Sequence, residues 1–390
     1  MMREKESSGM PKRAVPVAWA IAVLLAMIFV VLVSSIYANG RPENFSEENN
    51  NEAPDPERVQ SAIEGGLNWL AEQQLVEGSN AGSWQAPRYP TAASSFAGLA
   101  FLANGYLPGE GEYGQVIRRA MRYVQDSMAP DGYLGARGDS MYVHAICTLF
   151  GLSYMGMSEE EKHEKELAEW GRRSIDLIVE AQRVQKRSAE QGGWRYSPYS
   201  AASDLSVTSW QLLALHAAHQ CGYAIPDGVF QEALEYVNGG FVETQNGVAG
   251  FVYRPGVSKQ PEPGVTGAAL FVKRVLEEEL DSRAMQGIEL LRQHPPSWGG
   301  KQYKGYFFFG TFYMEQGLFQ IGGEPWEEFY PAVQKVLLEN QQGDGHWGFP
   351  PDNKSESRMA GEAYSTAMAV LILSLDKQYL PMYQRQKRLY

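Results

Sequence analysis

The sequence predicts an all-α protein: a ring of six helix-pair repeats, preceded by one N-terminal transmembrane helix. Three observations predict it. A turn combining glycine with an aromatic residue recurs six times, no stretch sustains strand-like alternation, and one uncharged run of twenty residues stands near the start.

Arg3, Lys5, Lys12 and Arg13 mark residues 1–13 as a basic, cytoplasmic N-terminus. From Ala14 to Val33 the chain reads AVPVAWAIAVLLAMIFVVLV, without a charge. At helical rise such a run spans the roughly 30 Å hydrocarbon layer of a bilayer. Trp19 and Tyr37 suit its two interfaces, so residues 14–38 read as a membrane anchor. The other reading is a signal peptide with Ala38-Asn39-Gly40 as its small-residue cleavage site, although signal cores run only about 7–15 residues. Both readings place the remainder outside the cytoplasm, the first as a single-pass membrane protein with a periplasmic main domain. Residues 39–58, including the polar stretch RPENFSEENNNEAPDPER, form an acidic tether.

Residues 59–380 carry the repeats, and residues 381–390 form a tail. First helices include 59–74, 115–128, 170–185 and 331–342. In the first of these, Ile63, Leu67 and Leu70 fall on one face. Second helices include 91–105, 140–156, 204–222 and 362–375. They are apolar on more than one side, as helices buried inside a ring must be. Between the two helices of each pair lies a turn with a structural aromatic: Trp84, Tyr133, Trp194, Phe251, Trp298 and Trp347, spaced 47 to 61 residues apart. Gly105, Gly156 and Gly222 stand where left-handed C-terminal caps are expected. A helix pair cannot bury both faces alone, so neighbours must stack, and six can close a circle.

The net charge of −12 opposes a nucleic-acid role, which needs concentrated Lys and Arg. Hydrophobic residues, at 44%, suffice for a substantial core. Cys147 and Cys221 cannot build a disulfide framework; they read as buried free thiols, a single bridge being the alternative.

The sixth turn, Gln341-Gln342-Gly343-Asp344-Gly345-His346-Trp347, fits a Q-x-x-D-G-x-W pattern. In this the chain resembles the prenyltransferase/squalene-cyclase repeat superfamily, whose fold is an (α/α)6 toroid. The stretches DLSVTSWQLLALHAAHQCGYAIP and YFFFGTFYMEQGLFQIGGEPW look, more narrowly, like membrane-anchored repeat proteins of planctomycete-type bacteria. The motif also has a local rationale. Its Gln is suited to the carbonyls orphaned at the end of the first helix, its Gly to a tight turn, and its aromatic to packing between pairs.

By resemblance, the second helix of each pair lines a central cavity, with its N-terminus at one mouth. Asp139, Asp204 and Glu362 lie at or near such starts, where helix capping is the simple explanation. Class II terpene cyclases protonate an alkene with the middle Asp of D-x-D-D-T. The matching stretch here is Asp204-Leu205-Ser206-Val207-Thr208, with Ser206 and Val207 in place of acids, and a hydroxyl cannot supply that proton. Protein prenyltransferases hold zinc with an Asp and a Cys in the fifth inner helix and a His in the sixth. Here those segments offer aromatics, Gly310 and Ser365. The Cys-x-x-Gln of thioester domains sharing the toroid is missing from both cysteines. His216, His219 and Cys221 are spaced for a metal but lack a further ligand, and dipole-favoured histidines explain them equally; no metal or cofactor is called for.

A glycosidase needs two carboxylates across a cleft, for which Asp139, Asp204, Glu315 and Glu362 are candidates. Trp210, Tyr306, Phe307, Phe308, Tyr313 and Tyr364 are candidate cavity-lining residues, alternatively ordinary packing. The residues point to a membrane-tethered binding or scaffolding module that presents an acidic-rimmed cavity to a hydrophobic ligand, peptide or partner protein. A terpenoid enzyme of unconventional chemistry and a carbohydrate-active enzyme stay open.

Overall fold

A computed structural model describes residues 53–380, apart from 136–138, 158–160, 277–279 and 352–355. The apolar run at 14–38 lies outside the described residues, among which no helix is long and apolar enough to cross a membrane.

Helices come in pairs, outer then inner. They are α1 (Pro56–Gln73) and α2 (Pro90–Leu102); α3 (Gly114–Asp126) and α4 (Met141–Tyr154); α5 (Glu161–Arg183) and α6 (Leu205–Gln220). Then follow α7 (Val229–Asn238) and α8 (Pro263–Leu276); α9 (Ser282–Arg292) and α10 (Phe307–Ile321); α11 (Gly323–Asn340) and α13 (Glu362–Leu373), with a short α12 (Glu356–Ala360) before the last. Inner helices touch in the order α2, α4, α6, α8, α10, α13 and back to α2, so the circle closes. One departure from the all-helical expectation is a small antiparallel hairpin, β1 (Phe241–Glu243) with β2 (Ala249–Phe251), in the fourth turn.

The two helix layers follow from their patterning. Outer α3 buries one stripe, Val116, Ile117, Ala120, Met121 and Val124, and leaves its arginines outside. Inner α2 is buried at every position from Thr91 to Leu102. Inner helices α8 and α10 come so close that a methyl on Gly264 would lie 2.7 Å from the Gly310 Cα. Only glycine permits that backbone approach.

The turn motif does more than cap its own helix. The side-chain amide of Gln74 donates to the Gly82 carbonyl within its turn (3.1 Å) and to the Val116 carbonyl of the next outer helix (2.9 Å). Gln182 repeats this with Gly192 and Val229 (both 2.9 Å), and Gln341 with Gly345 and Ala62 (both 2.8 Å). This corrects the expected local role: the glutamine bridges successive repeats, and its last copy joins the sixth to the first. Each of Gly82, Gly192 and Gly345 has positive φ and presses on the next outer helix, where a side chain would collide with the carbonyls of Arg119, Glu232 and Gly65.

The aromatics obey the same rule. Trp84, Trp194 and Trp347 are buried, and each indole N–H donates to an outer-helix carbonyl: Leu70 (2.7 Å), Ile178 (2.7 Å) and Leu337 (2.8 Å). Their backbone N–H groups donate to hydroxyls on the inner helices, Ser94, Thr208 and Thr366; Phe251 does so to Thr266. In the second repeat the corresponding core residue is Leu134 rather than Tyr133, and its N–H donates to Nδ1 of His144. Tyr133 instead occupies the position of His346, half-buried, donating to the Asp139 carbonyl. Trp298 is also only half-buried, edge-on to Phe307 and Phe308.

Gly105, Gly156 and Gly222 end their helices with positive φ, as the spacing predicts. Both cysteines are free; Cys147 is buried, whereas Cys221 is exposed rather than buried as expected.

Candidate functional site

The two ends of the ring differ. Connections from outer to inner helices run 14 to 24 residues, while the returns run 1 to 11. All the long loops therefore gather at the mouth where the inner helices begin. Long loops on a rigid frame are where binding residues concentrate.

Below that mouth, aromatic rings of the inner helices meet one another. Phe96 of α2 meets the edge of Trp210 of α6 (5.6 Å between centroids) and of Tyr364 of α13 (5.3 Å). Trp210 stacks on Phe312 of α10 (5.5 Å) and meets Tyr313 edge-on (5.2 Å). Phe308 closes the set against Tyr364 (6.1 Å). All six rings are buried, so rings from four inner helices pack on one another. Trp210, Phe308, Tyr313 and Tyr364, expected either to line a cavity or simply to pack, are buried against one another. Phe307 faces Trp298 and Tyr303, and Tyr306 lies at the mouth, 46% exposed. Single aromatics at helical spacing do not reveal whether rings reach across an axis.

At the mouth, Asp204 caps α6. Its Oδ1 accepts from the Val207 N–H (2.8 Å) and the Ser206 hydroxyl (2.8 Å), and its Oδ2 from the Arg195 guanidinium (2.6 Å). The side chain is wholly buried, and that burial raises its carboxyl above the usual range against those donors and the Tyr253 hydroxyl. Ser206 also bonds the Tyr142 hydroxyl. Burial, with the Asp204 charge, holds the Tyr142 phenol far above its ordinary pKa. It stays protonated and is no base for activating Ser206.

Around Asp204 runs a strip of tyrosines absent from the expected set. The Arg195 guanidinium lies over the rings of Tyr196 (4.5 Å) and Tyr253 (5.7 Å), whose hydroxyls bond each other (2.5 Å). Tyr142 adjoins Tyr196 at 5.9 Å. Backbone bonds pin the strip: the Tyr196 carbonyl accepts from the first N–H of α4 and the Tyr253 carbonyl from the first of α6, each 2.9 Å. Beside it Glu190 is buried, paired with Arg254 (2.8 Å). A signal existed in the sequence. Trp194-Arg195-Tyr196 and Phe251-Val252-Tyr253 both place a tyrosine two residues beyond the turn aromatic.

The four candidate carboxylates do not form a set. Glu362 is half-exposed, 4.0 Å from His346. Asp139 lies against Gly135 in the second repeat. Glu315 is wholly buried with no hydrogen bond to either oxygen, and burial, then the Asp376 charge, holds its carboxyl far above the ordinary value. Its electrostatic neighbours are Tyr330 and Asp376, whereas those of Asp204 are Arg195 and Tyr253. His216 is buried beside Gln220, and Cys221 donates to the Leu152 carbonyl; among the described residues no three His, Cys, Asp or Glu gather to hold a metal.

No family model and no curated protein matches the chain. Solved structures do. The type II terpene cyclase MstE from Scytonema superposes with a TM-score of 0.53 at 13% identity, over 84% of this chain and 100% of that one. A family 76 glycoside hydrolase from a bovine Bacteroides thetaiotaomicron strain gives 0.56 at 11% identity, over 82% and 77%. The α-1,6-mannanase of the same family from Salegentibacter gives 0.56 at 10%, over 82% and 99%. The described ring is thus similar to toroids that serve two unrelated chemistries, and what it shares with them is the fold.

Proposed function

We propose that this chain is a binding module on a toroid scaffold, its ligand-facing surface being the long-loop mouth around Tyr142, Arg195, Tyr196 and Tyr253. The observation that supports this is the packing of Phe96, Trp210, Phe312, Tyr313 and Tyr364 on one another, ring against ring between inner helices. The neighbouring enzymes supply further contrast. Cyclisation needs a free strong acid, and Asp204 is occupied by an arginine and two cap donors. Inactive forms of the Salegentibacter mannanase replace two consecutive aspartates, and this chain contains no Asp-Asp pair.

The binding reading also takes residues 14–38 as a tether that holds the ring outside the cytoplasm. Protease added to spheroplasts should then degrade the ring, and carbonate washing should leave the chain in membranes; release into the soluble fraction would contradict the tether.

Turnover assays with squalene and with α-1,6-mannan test the non-catalytic part. The expected result is no product, with Asp204→Asn folded and melting lower. Product formation abolished by Asp204→Asn would establish an enzyme instead.

A further inference from the structure

We infer that the tyrosine strip at the mouth is a site for a neutral carbohydrate, an inference that rests on the binding reading above. The strip offers exposed aromatic surface whose adjoining arginines are already neutralised. Tyr196 is 44% exposed and Tyr199, three residues on, 75% exposed. The two arginines set against the strip are each joined to a carboxylate: Arg195 to Asp204 (2.6 Å) and Arg254 to Glu190 (2.8 Å). A phosphorylated or acidic ligand seeks cations still able to pair, and a basic one seeks carboxylates in the same condition. A lipid tail needs apolar depth, which the rings behind Trp210 occupy.

What remains complementary is a ligand with a flat C–H face for the rings and many hydroxyls for the groups at their edges. The Tyr253 hydroxyl is filled by Arg195, Tyr196 and Asp204, whereas the Tyr196 hydroxyl, donating to Tyr253, retains acceptor capacity towards such hydroxyls. The platform is also preorganised. The carbonyls of Tyr196 and Tyr253 are fixed on α4 and α6, and the Arg195 guanidinium braces both rings from one side. Little conformational freedom is then lost on binding.

The test is calorimetric titration of the full chain, held in a detergent without sugar groups, with mannotriose, cellotriose and xylotriose. At least one should bind, with an affinity insensitive to salt because the ligand is neutral. Tyr196→Ala and Tyr199→Ala should each weaken binding about tenfold, a stacking-sized loss. Tyr199 is exposed enough that its replacement leaves folding intact, which keeps the result readable if Tyr196→Ala is unstable. Failure of all three sugars to bind overturns the carbohydrate assignment. If phosphatidylcholine vesicles or a peptide are instead captured in a Tyr196-dependent manner, the mouth reading survives and the carbohydrate does not. Sugar binding unchanged in both variants overturns both.

Discussion

The side-chain amide of Gln341 donates to the backbone carbonyl of Ala62, 279 residues earlier, at 2.8 Å. The same amide holds the Gly345 carbonyl of its own turn. Gln74 and Gln182 make equivalent bridges between consecutive repeats, so ring closure uses the same device as ring growth.

Removing a bridge leaves two partly or wholly buried carbonyls short of a donor. Gln182→Ala, at a buried site, should therefore cost about 2–3 kcal/mol, and Gln341→Ala, less buried, about 1–2 kcal/mol. Urea denaturation of both variants checks this. Losses below a few tenths in both would show the bridges to be incidental.

Two glycines of like φ separate conformational strain from collision. Gly78 (φ +83°) has open space where a methyl would go, whereas Gly192 (φ +85°) would drive one into the Glu232 carbonyl. Gly78→Ala should cost about 1 kcal/mol, and Gly192→Ala roughly 3 kcal/mol or more. Equal costs would remove the packing role assigned to the turn glycine.

His144 provides a pH signature. Its Nδ1 accepts from Leu134 and its Nε2 faces the Ser174 carbonyl, and burial lowers its pKa to about 4 from an ordinary 6.5. The neutral form is the folded one, so stability is complete above 6.5. As pH falls towards 4 the unfolded chain gains a proton that the folded chain refuses, and about 3 kcal/mol is lost. His144→Thr, which puts a hydroxyl where Thr208 and Thr266 stand, should flatten that part of the profile. Melting curves between pH 7 and about 4 decide it.

Glu315 works in the opposite direction. Its folded carboxyl stays protonated well above the ordinary 4.5, so stability falls as rising pH ionises the unfolded chain. Glu315→Gln should raise the melting temperature, and the gain should grow from pH 5 to pH 8. A gain independent of pH, or a loss, would mean that Glu315 has an ionised partner.

The sequence conveyed the architecture because the architecture is local. A glutamine, a positive-φ glycine and a tryptophan mark three of the six corners, and helices apolar all round must lie inside. Asp204 as a cap was equally visible, since it stands one residue ahead of α6. The meeting of rings from different inner helices was not. Whether Trp210 touches Phe96 and Phe312 depends on ring diameter, and no spacing within one helix encodes that distance. Nor was the ion pair with Arg195, because a loop brings that arginine back over the helix start. Tyr133 misled by one residue, the second repeat having leucine at the buried position and tyrosine beside it.

The packed axis admits one direct test. Crystals pressurised with xenon reveal apolar voids, and Trp210→Ala should create one among Phe96, Phe312 and Tyr364 while costing about 3–5 kcal/mol. The expected result is a xenon atom on the axis of the variant and none there in the unaltered protein. Xenon on the axis of the unaltered ring would show an open hydrophobic chamber and contradict the account.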